Sequence, residues 1–422
     1  MRRLEIALLI VALVGVLLAE PAHAVDPPLP DVVQVDGGGG HSCAVDADHK
    51  AWCWGKDHAG QVGDGAGTDA WIARQVLNVA GTGPLAAVTQ VSAGRSHTCA
   101  RLANGQARCW GGNLGGQLGD GTFEDRDIPV VVTNAAGNGP LTGVRAIAAG
   151  NLHTCAVLSS GQVRCWGSNE AGQLGNGGPG QAPRRRPVVV RSVAGPGPLQ
   201  GVAQVTTGTH YTCAVLASGQ ARCWGLNVDG QLADGTRANH RRPVVVRAVS
   251  GAGPLTGVRQ VEAGDHHACA RLASGQARCW GRNNFRQLGV DGGRQVRPVV
   301  VALGNGSPLG GVTRIAAGEW FSCASLASGE VRCWGSDGRG QLGNATAGGP
   351  GPVAVRSALG EYDPPTPGDL VGITLVSAGG GTACARRNDG RALCWGDNRE
   401  FQVGNGANPD EVFRPTSVLA PT

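Results

Sequence analysis

Short apolar runs alternate along the chain with clusters of glycine, asparagine, aspartate and proline, and no segment sustains a helical period. One recurring unit reads Val88-Thr-Gln-Val-Ser-Ala-Gly94, His97-Thr-Cys-Ala-Arg-Leu102, a turn at Ala103-Asn104-Gly105, then Gln106-Ala-Arg-Cys-Trp-Gly111. Gly116-Gln-Leu-Gly-Asp-Gly121 and an apolar run from Ile128 to Val132 complete it. Runs of this length bounded by turn residues read as strands, four to a unit. The unit recurs seven times, at about 31–80, 85–137, 141–195, 199–251, 255–305, 309–363 and 370–420, within a single domain spanning 25–422. Four antiparallel strands repeated around a ring leave only short, protected edges. The pattern therefore predicts an all-β, seven-bladed β-propeller; a solenoid would need capped ends, and none is visible.

The cysteines set the phase of the repeat. They fall as Cys43 and Cys53, Cys99 and Cys109, Cys155 and Cys165, Cys213 and Cys223, Cys269 and Cys279, Cys323 and Cys333, and Cys384 and Cys394, with none left over. A three-residue turn at 103–105 puts Leu102 opposite Gln106, and the pairing runs back until Cys99 faces Cys109. Directly opposed Cβ atoms lie roughly 4.5 to 5.5 Å apart or less, close to disulfide reach. Each pair is expected to close within its own hairpin, one disulfide per blade.

Composition narrows the class further. With 71 Gly and 24 Pro in 422 residues, long helices are excluded as the main architecture. Lys50 and Lys56 are the only lysines, and the other basic residues are arginines scattered through the chain. No dense basic block marks a nucleic-acid arm, and no nucleic-acid partner is expected. At the N-terminus Arg2 and Arg3 precede an apolar stretch from Ile6 to Ala19, followed by Ala22-His23-Ala24. The run is short for a membrane span, which needs about 20 residues. Residues 1–24 read as a cleavable signal peptide, giving a secreted or periplasmic monomer that leaves the membrane after cleavage. Such a compartment is oxidising, as the paired cysteines require.

Gly150-Asn-Leu-His-Thr-Cys-Ala-Val-Leu158, Gly161-Gln-Val-Arg-Cys-Trp-Gly167 and Gly172-Gln-Leu-Gly175 resemble the regulator-of-chromosome-condensation repeat family. The likeness recurs over about 31–420, and it implies a seven-bladed propeller. It does not carry over the nucleotide-exchange activity of the nuclear founder, since disulfide-forming cysteine pairs and an export signal depart from that pattern. Exported bacterial relatives whose propeller face binds another protein, including β-lactamase inhibitors, are similar in architecture and compartment.

Specificity should lie where the seven copies disagree. They differ most after the first glycine of each unit and again after Trp-Gly, and strand alternation puts both loop sets on one face. That face carries Arg95, Ser96, Asn151, Leu152, His210, Asp265, His266, Phe285, Glu319, Trp320, Arg339 and Arg399. Arginine and aromatic residues of this kind are enriched at protein interfaces, and Trp320 is the leading anchor. The expected function is an exported binding module that presents this face to a protein partner, in inhibition or surface recognition. A hydrolase or lyase using Asp265, Glu319, His210 and His266 at the channel mouth is the alternative, and a passive surface or matrix component the third reading. No Gly-x-Ser-x-Gly elbow, His-Glu-x-x-His or phosphate loop occurs.

No metal or cofactor is expected. His41, His97, His153 and His267 precede the first cysteine of their units, but Tyr211, Phe321 and Thr382 fill the same slot elsewhere, so a strand-start histidine bonding locally is the better reading. Turns at Asp64, Asp120, Asn176 and Asn405 supply too few carboxylates for calcium and suit positive φ. The repeated Trp54, Trp110, Trp166, Trp224, Trp280, Trp334 and Trp395 are expected to pack between blades. Both chain ends fall at a repeat boundary, so the ring should close with little strand exchange, and loss of Val25 to Pro28 should be tolerated.

Overall fold

The computed structural model describes residues 26–178, 180–344, 351–357, 368–407 and 410–421. The proposed signal peptide lies outside them. The described residues form seven four-stranded antiparallel sheets, each with its strands in sequence order. In the second blade these are Val88–Ala93, His97–Leu102, Ala107–Gly111 and Arg126–Val131, from the channel outward. Successive innermost strands touch one another around the ring, and that of blade 7, Ile373–Gly379, touches Val32–Gly37 of blade 1. The sixth blade is the least regular, with an outer strand of only Val353–Ala354.

The register is the one the three-residue turn dictates. Cys99 sits directly opposite Cys109 with Cα atoms 4.1 Å apart, and the same disulfide forms in every blade. This spacing belongs to the close, non-hydrogen-bonded type of antiparallel pair.

The core lies between blades rather than within them. Cys99, Leu118 and Val132 of blade 2, for example, pack with Ile147, Ala156 and Trp166 of blade 3. Each repeat tryptophan is fully buried, and its indole N–H donates to the carbonyl of the motif glutamine one blade earlier. Trp110 reaches Gln61 at 2.9 Å, and the bond recurs at all seven boundaries. This explains the Gly-Gln-Leu-Gly signature. The Gln61 side chain accepts the Ala59 N–H, and a Cβ on Gly63, at φ 82°, would stand 2.6 Å from the Trp110 ring nitrogen. Burying an indole without a partner for its N–H is costly, so the bond and the burial go together.

The strand-start histidines do not bond locally. His97 is fully buried, and its Nε2 lies 2.9 Å from Thr154 Oγ1 in the next blade. Thr154 spends its hydroxyl proton on the Gln117 carbonyl at 2.8 Å, so the threonine oxygen accepts and His97 Nε2 carries the hydrogen. His41, His153 and His267 repeat the arrangement, with serine in place of threonine for His267. The slot tolerates Tyr211 and Phe321 because it is an inter-blade packing position. Burial lowers the pKa of His41, His97, His153 and His267 to about 3.

Ring closure involves no strand exchange: blade 1 is built from Val32–Gly37 to Ala70–Gln75 and blade 7 from Ile373–Gly379 to Glu411–Ser417. The N-terminal segment nonetheless takes part. Pro28 bridges to Leu419, Leu29 N–H donates to Val418 at 2.7 Å, and Ala420 N–H donates to the Pro27 carbonyl at 2.9 Å. The expectation that Val25 to Pro28 is dispensable is therefore corrected, since Pro27 and Pro28 pair with the far end of the chain.

Candidate binding face

Both variable loop sets converge on one end of the channel. A mouth cavity of about 420 Å³ is lined from the first set by Arg95, Ser96, Asn151, Asp265 and Glu319, and from the second by Lys56, Arg339 and Arg399. A rim of glycines narrows it. A Cβ on Gly94 would stand 2.4 Å from the Gly150 carbonyl oxygen, and one on Gly264 2.3 Å from that of Gly318. Neighbouring loops are tied by main-chain bonds such as Arg95 N–H to Gly150 (3.0 Å) and Glu319 N–H to Gly380 (2.9 Å). Glycine is thus required at the rim by close approach, while the two residues after it are free to vary.

The charges at the mouth fall into two groups. Arg339 Nη1 meets Asp397 Oδ2 at 2.5 Å, and Arg399 grips both Asp397 oxygens at 3.0 Å each. Burial acts to raise the Asp397 pKa, but the Arg399 hydrogen bonds and the Arg339 charge prevail and hold it below the usual carboxylate range. Lys56 pairs with Glu400 at 2.7 Å. Elsewhere on the rim, burial and then the Glu319 charge push Asp265 up, with Arg95 acting in the opposite sense. Arg339 and Arg399, read from the sequence as contact residues, are already engaged by Asp397.

The remaining face residues, Leu152, His210, His266, Phe285 and Trp320, lie outside the mouth lining. Three of them form a separate cluster. His266 stacks on Trp320 with centroids 5.7 Å apart and planes at 15°, while Phe285 tilts against the same indole at 5.5 Å. Arg282 places its guanidinium 4.8 Å from the Trp320 ring centre, a cation–π distance. His266 Nδ1 also lies 3.5 Å from Asp229. Trp320 is half-buried by these neighbours, whereas Phe285 stays 48% exposed. His266 thus faces Trp320 and Asp229 and does not line the cavity where Asp265 and Glu319 sit.

Sequence reasoning passed over Trp71, which stacks on Phe401 at 4.7 Å across the ring closure and is 51% exposed. The available signal was its place outside the repeated tryptophan slot. The turns at Asp64 and Asp120 are held by side-chain bonds, Asp120 Oδ1 accepting Thr122 N–H at 2.8 Å and Asp64 Oδ1 accepting Ala66 N–H at 2.9 Å, but the positive φ expected at Asp64, Asp120, Asn176 and Asn405 is taken instead by the glycines that follow them, Gly65, Gly121, Gly177 and Gly406.

This architecture defines a seven-bladed propeller with a loop-built face. A profile of the RCC1-like domain matches residues 14–347, and one of the regulator of chromosome condensation (RCC1) repeat matches 373–402. The chain belongs to the RCC1-like propeller family. It is 29% identical over 314 residues to the ultraviolet-B receptor UVR8 of Arabidopsis thaliana, covering 74% of this chain and 67% of that protein. Against the human E3 ubiquitin-protein ligase HERC2 the identity is 27% over 372 residues, 87% of this chain but 7% of the ligase. Among solved structures, human WBSCR16 superposes with a TM-score of 0.71 at 20% identity, covering 87% of this chain and 93% of that one. Prp20p of Saccharomyces cerevisiae, described with its binding to Gsp1p and histones, gives 0.67 at 22% identity, with coverage of 88% and 86%. At these identities the two structures establish the fold.

Proposed function

We propose that the chain is a protein-binding propeller acting outside the cytoplasm, and that its partner docks on the varied loop face with Trp320 as the central anchor. The cluster of Trp320 with His266, Phe285 and Arg282 carries this reading. It presents aromatic and guanidinium surface on rigid supports, the chemistry that dominates binding hot spots. Prp20p, a structural neighbour described with its binding to Gsp1p and histones, supports it. The seven disulfides fit an oxidising compartment, and the apolar run at 6–19 supports export.

The test begins with the full chain as bait in the organism's secreted fraction, followed by affinity measurements on the purified partner. Trp320→Ala should weaken binding about thirtyfold or more while the melting temperature holds. Ser218→Ala, in a turn on the opposite face, should leave affinity unchanged. Equal effects of the two substitutions would overturn the reading. So would a hydrolytic activity abolished by Asp265→Asn or Glu319→Gln.

A further inference from the structure

Residues 180 to 250 carry nine arginines against two carboxylates, Asp229 and Asp234, a local surplus of seven charges in a chain whose total is +5. The scatter seen along the sequence is not a scatter in space. The outer strands of blades 3 and 4, Arg184–Val189 and His240–Val245, open at equivalent positions with Arg184-Arg185-Arg186 and His240-Arg241-Arg242. Blade 5 continues the series with Arg297 on Gln295–Val300. Arg186, Arg242 and Arg297 occupy one slot of the repeat, and each crosses to the blade before it. Arg186 lies against Gly137, Arg242 donates to the Gly195 carbonyl at 2.8 Å, and Arg297 lies against Gly251. The guanidinium groups therefore straddle the blade boundaries along the outer rim.

Two features separate this arc from ordinary solvent-facing charge. An open concavity of about 600 Å³ is lined by Arg184, Arg185, Arg186 and Arg191 together with Ala135, Asn176, prolines and valines, and no acidic residue contributes to it. None of Arg184, Arg186, Arg242, Arg247 and Arg297 has a carboxylate partner among the described residues. Protection of an exposed sheet edge does not require such charge here, because the positions equivalent to Arg185 and Arg186 are Trp71 and Ile72 in blade 1 and Asp127 and Ile128 in blade 2.

We propose that this outer arc of blades 3 to 5 binds an anionic polysaccharide. Guanidinium groups hold carboxylates and sulfates by paired hydrogen bonds, and a row of them along a rim matches charges repeated along a linear chain. The lining of the concavity holds no aromatic residue, and Phe123 beside it is covered by the Arg185 guanidinium, 5.1 Å from the ring centre, so no row of free ring faces is offered on which bases could stack, the feature that single-stranded nucleic acids need. A bilayer would touch a convex rim only tangentially. The arc shares no residue with the mouth lining, so a molecule held by its rim keeps the mouth face open.

Binding of the full chain to dextran sulfate and to polygalacturonate of defined length tests this, with single-stranded DNA of equal charge and anionic phospholipid vesicles in parallel. Both polysaccharides should bind, with affinity falling steeply as salt rises. The triple change Arg184→Gln, Arg185→Gln, Arg186→Gln should lower affinity at least tenfold. The matching triple change to lysine should retain more affinity than the glutamine triple, since the charge remains while the paired hydrogen bonds are lost, and this separates lost charge from lost fold. Arg74→Gln, Arg259→Gln and Arg314→Gln together, the same charge removed elsewhere, should change it less than twofold. Equal losses from the two glutamine triples would overturn the proposal, as would tighter binding to DNA or to vesicles than to either polysaccharide.

Discussion

The indole of Trp54 in the first blade donates to the main-chain carbonyl of Gln402 in the last at 2.9 Å, the same bond that joins every other pair of neighbouring blades. In this bond the closing interface matches the six internal ones. Trp54→Phe removes this donor while the Gln402 carbonyl keeps the Ser42 hydroxyl at 3.0 Å, so the loss should be the net worth of one hydrogen bond, about 0.5 to 1.5 kcal/mol. Trp224→Phe, whose indole bonds to Gln173 inside the ring, should cost the same within error. Denaturant unfolding of both variants checks this; a much larger loss for Trp54 would mean that closure is the weak joint.

Asp57 is a second expected gain in stability. Blades 2 and 3 place asparagine in its slot, where Asn113 accepts Leu118 N–H through Oδ1 and donates through Nδ2 to the Glu124 carbonyl at 3.0 Å. Asp57 keeps the first bond, to Val62 N–H at 2.7 Å, but its Oδ2 has no partner. Burial, with smaller contributions from Asp64, Asp127 and Asp69, raises its pKa to about 7. Asp57→Asn restores the donor and should stabilise the fold by about 1 to 2 kcal/mol above pH 7. The gain should shrink as the pH falls from about 7 to below 3.8, where the carboxyl becomes protonated in the folded and unfolded chain alike. A gain independent of pH would refute the account.

The pH profile follows from two opposed sets. Histidines that titrate near 3 when folded and near 6.5 when unfolded bind fewer protons in the fold, so they subtract stability as the pH drops below about 6.5. Asp36 and Glu262, raised by burial to about 6 and 7, bind more protons in the fold and add stability as the pH drops from about 7 to 4. The two contributions partly offset between pH 6.5 and 4.5; below that the histidines continue to act, and Asp397, held below the usual carboxylate range, adds to the loss. A steep loss should therefore appear between pH 4 and 3. His97→Phe, imitating the natural Phe321, should make that loss shallower in denaturant midpoints measured against pH.

Removing one disulfide should weaken the ring without dissolving it. The Cys213 and Cys223 strands are held by five paired positions from Tyr211 to Val215 even without the bridge. Cys213→Ala with Cys223→Ala should cost about 2 kcal/mol in the chain-entropy picture and leave the circular dichroism spectrum unchanged. Loss of strand signal would show that the bridge is a condition of folding.

The repeat phase, the strand count and the hairpin register were legible because each depends on residues fewer than about twenty positions apart, as Cys99 and Cys109 illustrate. Contacts between blades were harder to read. His97 meets Thr154 from 57 positions away, and Arg339 meets Asp397 from 58. No local period specifies which side chains of neighbouring repeats face each other. For the same reason the arginines of blades 3 to 5 looked dispersed, since Arg186, Arg242 and Arg297 become neighbours only once the blades stand side by side. The division of the varied face into a charged mouth and an aromatic cluster was hidden likewise, because His266 follows Asp265 in sequence but turns to a different neighbour.

The pairing of Pro28 with Leu419 has the form of the links between blades, in which Leu77 bridges to Pro84 and Leu85 N–H donates to Val76. The ring is thus closed by an interrupted version of its own connector, and the unit at which the chain starts is a free choice with respect to the assembled shape. A chain joined from Leu419 to Pro28 by six residues, the number separating Leu77 from Pro84, and opened instead between Asn134 and Gly139 would begin and end two blades' worth of surface differently while describing the same circle.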